Sequence, residues 1–134
     1  MLTFPTFRKR SRRRGAAIVE FALTVPLFFT LFLGIVEFGR MVMVQQILVN
    51  AARVGARSAI LAGVSATQAQ TVMSNYLTSA GITGATTSVS PTNAGSGTAV
   101  TVTVSVPCSS VAWTGALTWF KSSSLSSTVV MIHE

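Results

Sequence analysis

Residues 16–36 read AAIVEFALTVPLFFTLFLGIV, an apolar run interrupted only by Glu20 and Pro26. As a helix rising ~1.5 Å per residue, the run spans about 31 Å, the thickness of a bilayer's hydrocarbon core. From Phe21 to Val36, 16 consecutive residues carry no charge and leave no polar face for water. That argues against a buried helix of a soluble protein and for a membrane span. Pro26 falls near the start of the span, where a kink frees few backbone groups.

Upstream of the span, Arg8, Lys9, Arg10, Arg12, Arg13 and Arg14 fall within seven consecutive positions and make up six of the ten basic residues. The formal charge of +7 is therefore a poor average: beyond Gly15, four basic residues face three acidic ones, a net of +1. The basic character belongs to a leader, which removes the case for a nucleic-acid-binding surface. Attraction to anionic lipid, about 1 kcal/mol per basic residue near the surface, accounts for it more simply. Downstream, Glu37 and Arg40 cancel each other. The positive-inside rule then predicts a cytoplasmic N-terminus, with residues beyond about 37 outside.

A cleaved secretory signal shares this basic-then-apolar order. Here the apolar region is too long for a signal core, and no small-x-small site closes it. Ser11-Arg12-Arg13 resembles a twin-arginine signal, but Arg14 and Gly15 stand where apolar residues should follow.

The whole chain has 134 residues, enough for one small domain beside a membrane segment. Hydrophobic residues make up 49% and charged residues 10%, far below the roughly 25% usual in soluble proteins. After the span a helical rhythm continues through residues 37–62. Val44, Ile47, Leu48, Ala51 and Val54 form an apolar stripe, and Gln46, Asn50, Arg53 and Arg57 lie on another face. Ala51, Gly55, Ala59 and Gly63 recur every fourth residue, a ridge that permits close approach of another backbone, here expected to be the protein's own sheet. A short second helix is predicted over Thr67–Thr78, ended by Gly81.

The composition then shifts to Thr, Ser, Gly and Val. AVTVTVSV (99–106) alternates strictly and predicts a strand with Val100, Val102, Val104 and Val106 on one face. Thr86–Ser90 can pair with it as a hairpin around residues 92–97, and Leu125–Ile132 reads as a closing strand. Trp113, Trp119 and Phe120, between them, are expected to cap the sheet, with contact to the membrane surface or a partner as the second reading. The sum is a long helix followed by a small antiparallel sheet, an α+β arrangement.

Residues suited to catalysis are scarce. The chain has one His and three acidic residues, all Glu, so a Ser-His-Asp triad cannot be assembled for want of an Asp. Outside the membrane only Glu37 and Glu134 remain as a carboxylate pair, and His133 with Cys108 makes no credible zinc site. No glycine-rich phosphate loop follows a strand. We expect no enzymatic activity, no catalytic residue, no cofactor, no metal and no small-molecule substrate. Cys108, the one cysteine, is either buried, by default beside Trp113, or available for an intermolecular bridge.

Gly15 lies between the leader charges and the span, and Glu20 follows five positions later. This spacing resembles a type IV prepilin. The resemblance narrows along RRGAAIVEFALTVPLFFTLFLGIVEFGR and the following NAARVGARSAI to the TadE-like family, pseudopilins of the tight-adherence (Flp-type) pilus system. Val19-Glu20-Phe21, Pro26, Glu37-Phe38-Gly39-Arg40, Ala51-Ala52-Arg53 and Gly55-Ala56-Arg57 carry it. It is close over roughly residues 12–62 and loose beyond.

The resemblance implies that a prepilin peptidase cuts between Gly15 and Ala16 on the cytoplasmic side and leaves the helix on the mature protein. It also implies a role for Glu20, the fifth mature residue, in assembly. The physical logic is independent: an ionised carboxylate inside a membrane helix is costly and needs a partner. Cleavage would create an α-amine at Ala16, one helical turn away, able to pair within the chain or with a neighbouring subunit's glutamate. The bland reading of Glu20 is a carboxylate reaching into the headgroups.

The expected organisation is a cleaved leader (1–15), a transmembrane helix (16–36) and an exported domain (37–134). The protein would sit in the bacterial inner, or cytoplasmic, membrane, with lipid, the peptidase and other pilin or pseudopilin subunits as partners. Major pilins of this system are much shorter, which favours a minor component. The alternative is an unprocessed single-span envelope protein whose outer domain binds a ligand or surface.

Overall fold

The computed structural model describes residues 11–61, 63–112 and 122–133, with side chains from Gly15 onward. One unbroken helix, α1 (Ser11–Ala59), runs 49 residues, about 74 Å at ~1.5 Å per residue. After it come α2 (Ala66–Ser79), β1 (Thr86–Ser90), β2 (Ala99–Pro107), the short α3 (Cys108–Val111) and β3 (Ser124–Ile132). The strands form one antiparallel sheet in the order β1-β2-β3. The expected α+β layout is the one observed.

Alternation in β2 sets the two faces of the sheet. Val100, Val102, Val104 and Val106 are buried against the helices, and Thr101, Thr103 and Ser105 turn to the opposite, wetter face. There Thr103 and Thr128 share a hydroxyl hydrogen bond of 3.1 Å across the β2–β3 pair. Each buried valine contributes about 1.5 kcal/mol or more of apolar burial, so β2 is the central plank of the core. Register between β1 and β2 puts Val89 opposite Val102, and both are buried.

α2 is set off by local chemistry at both ends. Ser65 accepts from the Gln68 backbone N–H while the Gln68 side chain accepts from the Ser65 N–H, a reciprocal cap. At the other end Gly81 adopts φ +74°, the Gly81 N–H donates to the Thr78 carbonyl and the Ile82 N–H donates to that of Leu77. This left-handed turn satisfies the last carbonyls and brings Ile82 back into the core with Leu77. The helix is one residue longer at each end than the predicted Thr67–Thr78.

The outer half of α1 departs from the predicted stripe. Val44, Leu48 and Ala51 are buried and Ile47 is partly so, but Val54 is 37% exposed. Its place is taken by Ala52, Gly55, Ala56 and Ala59. α1 packs on α2 as well as on β2 and β3, so its buried arc widens and turns toward the small residues. Gly55 explains the turn. A Cβ there would overlap the thioether of Met73 on α2, so the small-residue ridge receives a second helix where the sheet was expected. Gly63 is no part of that ridge: it is exposed, beyond the end of α1, with φ +83°.

Two polar contacts tie α1 to the sheet end of the domain. The Arg40 Nε–H donates to the Val111 carbonyl at 2.6 Å, and the Gln45 amide donates to the Ser126 carbonyl on β3 at 2.9 Å. Cys108 is buried at the start of α3, and its N–H donates to the Ser123 carbonyl. Trp113, Trp119, Phe120 and Glu134 lie outside the described residues, so the cap expected of the aromatic residues is not placed.

Candidate functional site

The inner half of α1 is the exceptional surface of this molecule. From Ile18 to Phe38 its large apolar side chains, half-buried Val25 apart, are 39–74% exposed, and no residue in the most apolar 18-residue window is buried. A core helix of a soluble domain would hide that window. Here it projects away from the folded part, and the helix is long and apolar enough to cross a membrane. Burial along the chain begins at Glu37, which is 2% exposed, and continues at Val44 and Leu48. Glu37 and Arg40 are both engaged by neighbours.

Inside the exposed half, polar groups are largely satisfied by the helix itself. The Thr24 hydroxyl donates to the Glu20 carbonyl and the Thr30 hydroxyl to the Pro26 carbonyl, each at 2.8 Å. Such back-bonding is how hydroxyls avoid orphaned donors where water is absent. Pro26 sits within α1 without ending it, as its position near the start of the run predicted.

Gly15, Ala16 and Glu20 all lie on α1, all exposed. A Cβ added at Gly15 would meet nothing within 4 Å, so the bare backbone there is open to an incoming protein. Ala16 and Glu20 are four residues apart on one helix, hence on one face and one turn from each other. An α-amine at residue 16 would therefore lie about one helical turn from the Glu20 carboxylate. Glu20 has no ion-pair partner among the described residues.

Sequence reasoning missed two features of the outer half. It read Glu37 only as the charge that cancels Arg40 and did not foresee its burial, although the spacing of three already placed both on one face. It also placed Asn50, Arg53 and Arg57 on the face away from the apolar stripe without assigning them a neighbour. Together with Val54 and Tyr76 of α2 they line a cleft of about 280 Å³.

Residues 15–57 match the model of a family described as TadE-like protein. No curated protein and no solved structure matches the chain. The matched segment starts at the glycine ahead of the span, passes through Glu20, Pro26, Glu37 and Arg40, and ends at Arg57, the residues on which the resemblance rested. Residues 15–57 are thus similar to the TadE-like family, and they carry the one helix among the described residues that is long and apolar enough to cross a membrane.

Proposed function

We propose that this protein is a minor pseudopilin of the tight-adherence pilus. It is made as a precursor, cut after Gly15 by a prepilin peptidase, held in the cytoplasmic membrane by residues 16–36, and packed through that helix against other pilin subunits. It has a structural or assembly role and no catalytic one. The observation that carries this reading is a single helix with two solvents: its inner half is apolar and uncovered, its outer half forms the core of a folded domain. Gly15 stands at the charge boundary of that helix, and Glu20 lies one turn beyond Ala16.

Mass spectrometry of the protein extracted from membranes tests the processing step. In cells with an active prepilin peptidase the mature chain is expected to begin at Ala16. An intact species starting at Met1 would favour an unprocessed anchor instead.

The orientation has its own test. Six leader charges hold the N-terminus inside, so a cysteine introduced after residue 70 should react with a membrane-impermeant reagent added from outside. Cys108 is buried and contributes little background. Protection of the new cysteine in intact cells, with reaction after lysis, would place the domain in the cytoplasm and end the exported reading.

A further inference from the structure

The cleft formed by Asn50, Arg53, Val54 and Arg57 of α1 and Tyr76 of α2 has a charge balance that the pilus role does not explain. Arg53 and Arg57 are exposed and four residues apart, so two like charges share one helix face. Such a pair weakens the helix slightly. Arg57 gains something from lying in the last turn, near the negative end of the helix dipole. Arg53, more than a turn from the end, gains no such benefit. No acidic side chain answers either one among the described residues.

The chain itself has little to offer as a counter-charge. Of its three acidic residues, Glu20 lies in the apolar half, Glu37 is 2% exposed beneath the domain, and Glu134 lies outside the described residues. Lipid phosphate is out of reach as well. Arg53 follows Val36 by 17 residues, about 25 Å along the helix at ~1.5 Å per residue, well past the headgroups of the anchoring membrane. Nucleic acid needs more positive charge than a domain with two exposed arginines on one face supplies.

We propose that this cleft is a docking site for carboxylate side chains on the surface of a different protein. Arg53 and Arg57 would each take a carboxylate through the planar fork of the guanidinium, with the Asn50 amide and the Tyr76 hydroxyl as further donors. Because a second copy lacks an exposed acid in the described part of this domain, the contact joins unlike subunits. The site gives the exported domain a neighbour of its own, in addition to the subunit packing of the apolar helix inside the membrane. The proposal rests on the membrane-anchored reading above for its distance from lipid.

Tyr76 is the one tyrosine in the chain, so 3-fluorotyrosine labelling of the full-length protein in detergent micelles gives a single fluorine resonance inside the cleft. The basic leader does not report there. Hexaglutamate peptide is expected to shift that resonance saturably, and the shift should fade as salt rises from 50 to about 300 mM, where screening shortens to a few ångströms. R53Q/R57Q should weaken the peptide at least about tenfold, with R53K/R57K intermediate. Unchanged helical circular dichroism and melting in both variants keep the comparison on the site.

A peptide shift undiminished in R53Q/R57Q, or no saturable shift in the parent, would overturn the proposal. So would inorganic phosphate or phosphatidylglycerol bicelles acting as tightly as the peptide, which would make the cleft a general anion or lipid site. If replacing Glu134 with Gln sharpened peptide binding as a bound competitor's loss would, the carboxylate would be the chain's own and the heterologous partner would fall. Peptide binding in micelles requires neither cleavage nor assembly. A failed cleavage at Gly15 therefore leaves the site intact, and a silent fluorine signal leaves the pilus role standing.

Discussion

Replacing Glu20 with alanine or glutamine is expected to leave the protein inserted and cleaved, yet to reduce its yield in sheared surface fractions to near background. Gly15 and the apolar run, which direct cleavage and insertion on the proposed reading, are untouched in both variants. Removing a charge from the span even favours burial, by about 2.5–3.5 kcal/mol on insertion scales for an acidic residue at the helix centre and less near its end. What disappears is the acidic partner for the α-amine at Ala16. An ammonium left unpaired in hydrocarbon costs several kcal/mol, enough to abolish a subunit contact that depends on it. Glutamine keeps nearly the same shape as glutamate, so its failure cannot be assigned to lost packing. The assay compares sheared surface protein with the level in membranes. Parental output from both variants would leave Glu20 as a headgroup-facing carboxylate and favour the simple anchor.

Gly55→Leu carries the largest expected effect on the folded domain. Even the Cβ of a new side chain would overlap the Met73 thioether and its adjoining methylene, and the remaining atoms of leucine would push α2 off α1. Overpacking of this kind costs up to about 3 kcal/mol, a large share of the ~5–15 kcal/mol that holds a domain together. The measurement is thermal unfolding of the full chain in micelles, followed by near-ultraviolet dichroism. Gly39→Ala is the control: it lies on the same helix with nothing within 4 Å of its Cβ, and alanine should be neutral or stabilising by up to about 1 kcal/mol. Adding Met73→Ala to Gly55→Leu should recover part of the loss, because the two side chains compete for one space. A Gly55→Leu protein melting with the parent would show that α1 and α2 do not pack as described.

These two positions differ in how openly the sequence declares them. Glu20 was legible because its environment is one-dimensional: a carboxylate inside an apolar run is costly wherever the rest of the chain lies. The span itself, the alternating valines of β2, the β1–β2 hairpin and the closing strand were legible for a related reason. Each rests on a period or a solvent preference that neighbours in sequence impose on one another. The TadE-like match fell on residues 15–57, which hold the apolar run and the part of the helix that packs into the domain.

Tertiary structure alone decided which arc of the outer helix is buried. A 3.6-residue period says that one face is apolar, but alanine and glycine count for little on any hydropathy pattern. Val54 therefore outweighed Ala52 and Ala56 in the sequence, although it is they that are buried. The arc is fixed by the arrival of α2, whose Met73 requires a residue without a side chain opposite it. The same arrival turns Arg53 and Arg57 from members of the face away from the apolar stripe into one wall of a cleft completed by Tyr76. Burial of Glu37 follows the same rule: the sequence shows a carboxylate at the end of a span, and only the fold shows that the domain closes over it. Local patterns fix what each segment requires of its surroundings; the packing of segments distant in sequence determines which side chain meets which.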